Sequence, residues 1–170
     1  MDLRAATPED LPAILAIYNE AVLSTTATAD LVPQPLDVRR AWWEAHQREG
    51  LPVLVASEGG AVLAWASLSR YHTRPAYRFT VETSIYVAES RRGLGLGRAL
   101  LSVLVDSARR LDMRSMVAVI AGGNQVSVAL HARFGFREVG RLRDAMFKFE
   151  SWLDVIYMQL SLQAPEVTST

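Results

Sequence analysis

ESRRGLGLGRALL, residues 89–101, is the stretch on which the fold turns. Gly93, Gly95 and Gly97 alternate with Leu94 and Leu96. Arg91 and Arg92 precede them and Arg98 follows. The nine residues before it, FTVETSIYV at 79–87, alternate as a strand does. Val81, Thr83, Ile85 and Val87 fall on one face; Glu82, Ser84 and Tyr86 fall on the other. After it, Leu96, Leu100, Leu101, Leu104, Val105 and Ala108 recur at helical spacing. A glycine run between strand and helix has two readings. It is a tight turn beside solvated arginines, or a cradle in which backbone N–H groups, a helix N-terminus and arginines hold phosphate. The spacing excludes two cradles. No Lys follows the glycines as GxxxxGK[ST] requires, and GxGxG after a fourth strand is not GxGxxG after a first.

Outward from this stretch the chain reads as alternating short elements. Residues 2–6 are strand-like. Thr7-Pro8-Glu9-Asp10 is a helix start, and Leu11, Ile14, Leu15, Tyr18 and Val22 carry that helix to about Ser24. The Thr- and Pro-rich segment that follows is a loop, and a second helix with Trp42 and Trp43 covers roughly 36–49. Strands at 52–57 and 61–69 flank Glu58-Gly59-Gly60, a hairpin signal. Residues 69–78 form a polar, aromatic loop. Beyond the third helix come a buried strand at 115–121, a short helix that Asn124 can cap, and strands near 136–143 and 154–162. The order β-α-α-β-β-β-α-β-α-β-β predicts an α+β domain around one mixed sheet. One domain is expected over 1–163, with a disordered tail at 164–170.

Composition narrows the function. Lys and Arg number 18, as do Asp and Glu, so the formal net charge is zero. That argues against a general nucleic-acid or membrane-surface binder. The chain has no cysteine, which excludes disulfides, thiolate nucleophiles and Cys-ligated metals. The histidines, His46, His72 and His131, are far apart, so no metal site is expected. The longest apolar runs, at 61–66 and 116–121, are too short to span a bilayer. MDLRAATPED lacks the apolar core of a signal peptide. His46, Trp42 and Trp43 read as helix packing and surface.

Arg92-Gly93-Leu94-Gly95-Leu96-Gly97 resembles [Q/R]-x-x-G-x-[G/A], the acyl-CoA pyrophosphate loop of the GNAT N-acetyltransferases. Asn124…Ser127…Leu130-His131-Ala132-Arg133-Phe134-Gly135-Phe136 is similar to that superfamily's N…LYxxxGF segment. TVETSIYV, VAVI, HARFGF and KFESWLDVIYMQL resemble the phosphinothricin and methionine sulfoximine N-acetyltransferase group, in which a K-x-x-x-W-x-D motif recurs. Here Lys148, Trp152 and Asp154 occupy it. The likeness covers about residues 3–162.

The resemblance implies a GNAT fold: a mixed, mostly antiparallel sheet flanked by about four helices. It also implies an enzyme that moves acetyl from acetyl-CoA to the α-amino group of a small amino-acid analogue. The transfer would be direct attack in a ternary complex. Glu82 falls where the group carries its catalytic glutamate. His131 stands where many members have a tyrosine proton donor, and acid, base and structural roles stay open. Cofactor contacts are implied for the main chain of Ile85, Tyr86 and Val87, for Arg92, Gly93, Leu94, Gly95, Leu96, Gly97 and Arg98, and for Asn124 and Ser127. Asn124 has the plain alternative of a helix cap. Substrate contacts are expected from Arg74, Tyr77 and Arg78, and from Thr83, with the 24–34 loop lining the other side. Lys148 and Trp152 would shape the substrate end or a dimer contact. A cytoplasmic homodimer is expected. Rival readings are a GNAT enzyme acting on a peptide N-terminus or another amine, and an acyl-CoA-binding sensor without catalysis.

Overall fold

The computed structural model describes residues 1–162, so the expected tail lies outside the described residues. The elements are β1 (Asp2–Ala5), α1 (Leu11–Ser24), α2 (Leu36–Glu49), β2 (Val53–Glu58), β3 (Ala61–Arg70), β4 (Thr80–Val87), α3 (Leu96–Arg110), β5 (Ser115–Ala121), α4 (Gln125–Arg133), β6 (Arg137–Lys148) and β7 (Ser151–Ser161). Their order is the one the sequence predicts. They build one seven-stranded sheet, ordered β1-β2-β3-β4-β5-β7-β6. Every pairing is antiparallel except β4 with β5. Among these residues no helix is long and apolar enough to cross a membrane.

The sheet is covered on both faces, and helix periodicity explains how. Leu96, Leu100, Leu101, Leu104, Val105 and Ala108 of α3 face Ala66, Leu68, Val81, Met116, Ala118 and Ile156. Each fully buried Leu contributes roughly 1.5–3 kcal/mol. On the opposite face, Leu11, Ile14, Ile17, Tyr18 and Val22 of α1 pack on Val53, Val55 and Trp65.

The parallel pair is where the sheet opens. β4 and β5 pair only at Thr80↔Ser115, Val81↔Met116 and Glu82↔Val117. Beyond Glu82, β4 stays on β3 as far as Val87, while β5 stays on β7 as far as Ala121. Two strands leaving a common start with different partners leave a wedge between them.

At element ends one expectation holds in tighter form, with Thr7 as the N-cap, and one is corrected. Pro8–Asp10 is a 3-10 turn before α1, held by Asp10, whose carboxylate accepts from Thr7 N–H (2.8 Å) and both Arg4 guanidinium nitrogens (2.6 and 2.8 Å). The C-terminal strands also run much further toward each other than 136–143 and 154–162. Their turn is Phe149-Glu150, at φ 51° and 56°. Left-handed backbone in a hairpin normally announces itself as Asn-Gly or Asp-Gly, and here it does not. A bulge within β6, between Leu142 and Met146, carries a third left-handed residue, Asp144 (φ 48°), whose N–H donates to Asp154 Oδ1 at 3.2 Å.

Candidate active site

Backbone direction gives the wedge its chemistry. Successive residues of a strand point their N–H and C=O groups to opposite sides. Ala88 N–H donates to Leu63 on β3 and Thr80 C=O accepts from Tyr71, so even-numbered residues of β4 face β3. Phe79 C=O accepts from Arg114 on the β5 side. The N–H groups of Ile85 and Val87 therefore point into the wedge, where β5 no longer meets them.

The glycine stretch stands at the wedge's outer end. Gly93 and Gly95 adopt φ 79° and 80°, a conformation side chains disfavour. Ala99 N–H reaches Gly95 C=O (3.0 Å) as the first bond of α3, which leaves the N–H groups ahead of it open to an anion. Arg91, Arg92 and Arg98 are exposed with no ion-pair partner among the described residues. Gly97 has a packing role, since a Cβ there would lie 3.3 Å from Leu130 of α4.

A cavity of about 480 Å³ fills the wedge and continues past it. β4 contributes Glu82 through Tyr86, β5 contributes Ala118 through Ala121, and α4 with its cap contributes Asn124, Ser127 and His131. Thr26 to Ala29 form one wall; Leu142, Ala145, Met146, Val155 and Tyr157 form the other. A smaller cavity of about 210 Å³ adjoins it through Ser84 and Tyr86.

Glu82 is half-buried at this opening, with no hydrogen bond or ion pair to its carboxylate among the described residues. Burial alone pushes its carboxyl above the ordinary carboxylate range. An unpaired carboxylate so raised is a competent proton acceptor.

His131 is buried and fully wired. A carbonyl can only accept, so the 2.8 Å contact of Nδ1 with Ser127 C=O puts the ring proton on Nδ1. Nε2 then accepts from the Thr83 hydroxyl at 3.2 Å. That hydroxyl has a second acceptor, Val117 C=O, at 3.4 Å. Burial lowers the imidazole below its usual range, partly offset by the bond to Ser127. A resting neutral ring accepts a proton through Thr83 more readily than it donates one.

The substrate-side residues divide. Thr83 is buried against His131. Arg74, Tyr77 and Arg78 lie exposed on the 71–79 loop and do not line the cavity. That loop packs on itself: Tyr77 meets His72 (5.0 Å) and Tyr71 (5.8 Å), and Arg78 lies over Phe79 (4.5 Å). The loop between α1 and α2 does form a wall, and it is tied down. Tyr18 O–H reaches Asp30 (2.7 Å) beside Thr28 (2.9 Å), and Asn19 bonds Gln34 twice. Lys148, 3% exposed, donates to Thr28 C=O and Asp30 C=O at 2.9 Å each. Of its motif partners, Trp152 is exposed and rests on Phe147, and Asp154 braces the β6 bulge and meets Arg141.

Asn124 caps α4, its side chain accepting from Ser127 N–H at 3.1 Å. The cavity residues that sequence reading missed are those of β5, β6 and β7. They arrive through the β5-β7 adjacency, which leaves no local signal.

Residues 14–136 match the Acetyltransferase (GNAT) family. The L-methionine sulfoximine/L-methionine sulfone acetyltransferase of Pseudomonas paraeruginosa is 45% identical over 161 residues, 94% of each chain. The solved GNAT-superfamily phosphinothricin acetyltransferase of Sinorhizobium meliloti, in complex with AcCoA, is 40% identical with a TM-score of 0.92, covering 94% of this chain and 87% of that one. A ribosomal-protein-alanine N-acetyltransferase from Brucella melitensis is 42% identical with the same TM-score, covering 95% and 99%.

Proposed function

The chain belongs to the acetyltransferase (GNAT) family, and on that premise we propose that it moves acetyl from acetyl-CoA to the α-amino group of a small amino-acid-like acceptor. Methionine sulfoximine, methionine sulfone and phosphinothricin are the acceptors to try first. One observation carries the reading: an unpaired, burial-raised carboxylate, Glu82, at the mouth of a wedge lined by free backbone N–H groups.

When bound, acetyl-CoA supplies an activated acetyl thioester. The residues fit such a molecule. The left-handed Gly93 and Gly95, the open N–H groups at the start of α3, and Arg91, Arg92 and Arg98 suit its phosphates. The N–H groups of Ile85 and Val87 suit the pantetheine amides. Val87 N–H is the donor for oxyanion charge, an interaction worth about 3 kcal/mol of barrier when preorganised. Asn124 and Ser127 flank the same channel.

Glu82 takes the proton from the acceptor's ammonium, directly or through one water, and frees the amine lone pair. His131 and Thr83 form a second proton-accepting pair beside it. Arg74, with Tyr77 and Arg78, is proposed to hold the acceptor's carboxylate, which requires the 71–79 loop to turn from its present self-packed position toward the cavity; a guanidinium fork suits that group. The proposal includes a cytoplasmic homodimer. Leu142, Phe147, Phe149 and Trp152 on the β6–β7 hairpin are all at least half exposed, which supports a subunit contact there.

The test is thiol release from acetyl-CoA, read with a disulfide dye. The protein has no cysteine and adds no background. Turnover on the three amino-acid analogues supports the reading. Turnover only on an alanine-led peptide moves the acceptor to a protein N-terminus, the second reading that the Brucella relative favours. Binding of CoA without turnover on any amine leaves the sensor.

A further inference from the structure

Behind Glu82 stands a hydrogen-bonded unit that the reaction above does not use. Ser69 on β3 lies directly opposite Glu82 on β4, so the two side chains share one face, with Cβ atoms about 5 Å apart. On that face α2 sets His46, buried at 7% exposure. Its Nδ1 lies 2.8 Å from Trp42 C=O, which can only accept, so the ring proton is on Nδ1. Its Nε2, 3.0 Å from Ser69 Oγ, is then an acceptor, and the Ser69 hydroxyl donates to it. A serine hydroxyl has one proton. Given to His46, that proton is not available to Glu82 across the strand pair, and no hydrogen bond to the Glu82 carboxylate is present among the described residues.

We propose that His46 is a positioning residue for Glu82, acting through Ser69: it holds the Ser69 O–H on itself, so that Glu82, the cross-strand neighbour of Ser69, is denied that hydrogen-bond donor. An acceptor beside a carboxyl group favours its protonated form, and a donor favours the carboxylate. The unit therefore keeps Glu82 a stronger base. The proton transfer itself is unchanged: the ammonium N–H breaks and the Glu82 O–H forms. The inference rests on Glu82 being the proton acceptor.

The charged surroundings are few. Arg39 and Glu49 act on His46 from its own helix, and Glu49 is paired with Arg70 of β3 at 3.1 Å. His131 of α4 lines the same cavity as Glu82 and bonds Thr83. Thr26 to Ala29 and Ala118 to Ala121, which line the same cavity, carry no charge. Burial holds His46 below the usual imidazole range and favours the neutral ring that its bond to Trp42 C=O requires.

The experiment is the acidic limb of kcat/KM against pH, with acetyl-CoA saturating, for wild type, His46→Phe, Ser69→Ala and the double variant. Glu82→Gln runs beside them. His46→Phe releases the Ser69 proton toward Glu82. The limb should move to lower pH by on the order of half a unit, with kcat down about twofold and the KM for acetyl-CoA unchanged. Ser69→Ala should also lower the limb, and adding His46→Phe to it should change nothing more. A purely structural His46 would lower the melting temperature and leave the limb in place. An unmoved limb in Ser69→Ala overturns the proposal, as does a His46→Phe shift that persists without Ser69. The first of these needs no His46 variant to fold. If Glu82→Gln keeps wild-type activity, the reading of Glu82 fails and takes the inference with it. If Glu82→Gln is inactive and the other limbs do not move, the inference alone fails.

Discussion

Two histidines on opposite faces of the sheet make the same set of bonds. His131 gives its Nδ1 proton to the carbonyl four residues earlier, Ser127, and meets a strand hydroxyl, Thr83, with Nε2. His46 does the same with Trp42 and Ser69. Both rings are buried, and burial holds both below the usual imidazole range. They differ in the strand each meets. Thr83 sits on β4 beside Glu82, where β5 departs and the cavity opens; Ser69 sits one strand behind. An i−4 carbonyl fixes a histidine's tautomer wherever a helix offers one. In the proposed mechanism, sheet order sets which ring lines the cavity and which lies one strand behind it.

The substitution that strikes between the two units should have the largest effect. Glu82→Gln is expected to lower kcat by roughly 10²–10⁴-fold with little change in the KM for acetyl-CoA. Steady-state thiol release checks it. Next comes the cavity-side unit. His131→Phe and Thr83→Val should each cost on the order of 10-fold in kcat, and the pair no more than either alone, because they act together. Equal losses from His131→Phe and His46→Phe would erase the asymmetry between the faces.

Lys148→Met tests the wall rather than the base. Thr28 and Asp30 would lose the cation that holds their carbonyls, so the KM for the acceptor should rise several-fold while the KM for acetyl-CoA stays. An unchanged acceptor KM would show that the other ties of the 25–35 loop suffice.

The smallest effects are in stability. Both histidines are less basic folded than unfolded, so the unfolded chain binds more protons as pH falls. Stability should be full above the ordinary histidine value near 6.5 and decline as pH drops through it toward the lower folded values. Replacing both rings with Phe should flatten that part of a melting-temperature profile. Asp10 acts lower still. Its Arg4 partner holds its carboxyl below the usual range, so its contribution is complete above about pH 4 and is lost as pH falls further. Asp10→Asn should remove that lower decline and leave the histidine region as it was.

Much of this was legible in the sequence for local reasons. Alternation at 79–87 gave β4 and both its faces, and helical spacing after Gly95 gave α3. Strand, glycines and helix together placed the left-handed Gly93 and Gly95 between β4 and α3. Glu82, Ile85, Asn124, Ser127 and His131, read from separate stretches, line one cavity. The failures are non-local. The turn at Phe149-Glu150 uses left-handed backbone without glycine or asparagine, so β6 and β7 read too short. The far wall of the cavity depends on β7 lying between β5 and β6. His46 read as packing and is buried as expected; its bond to Ser69, 23 residues away, and the register that sets Ser69 against Glu82 belong to tertiary structure and left no local signal.

The most direct test is the pH profile of kcat/KM for acetyl transfer to the best amino-acid acceptor, measured for wild type and Glu82→Gln. The account predicts a wild-type acidic limb set by Glu82, above the ordinary carboxylate range. In Glu82→Gln that limb should vanish along with most of the rate. A Glu82→Gln enzyme that keeps both its rate and its limb would contradict the account, because the amine would then lose its proton to another group.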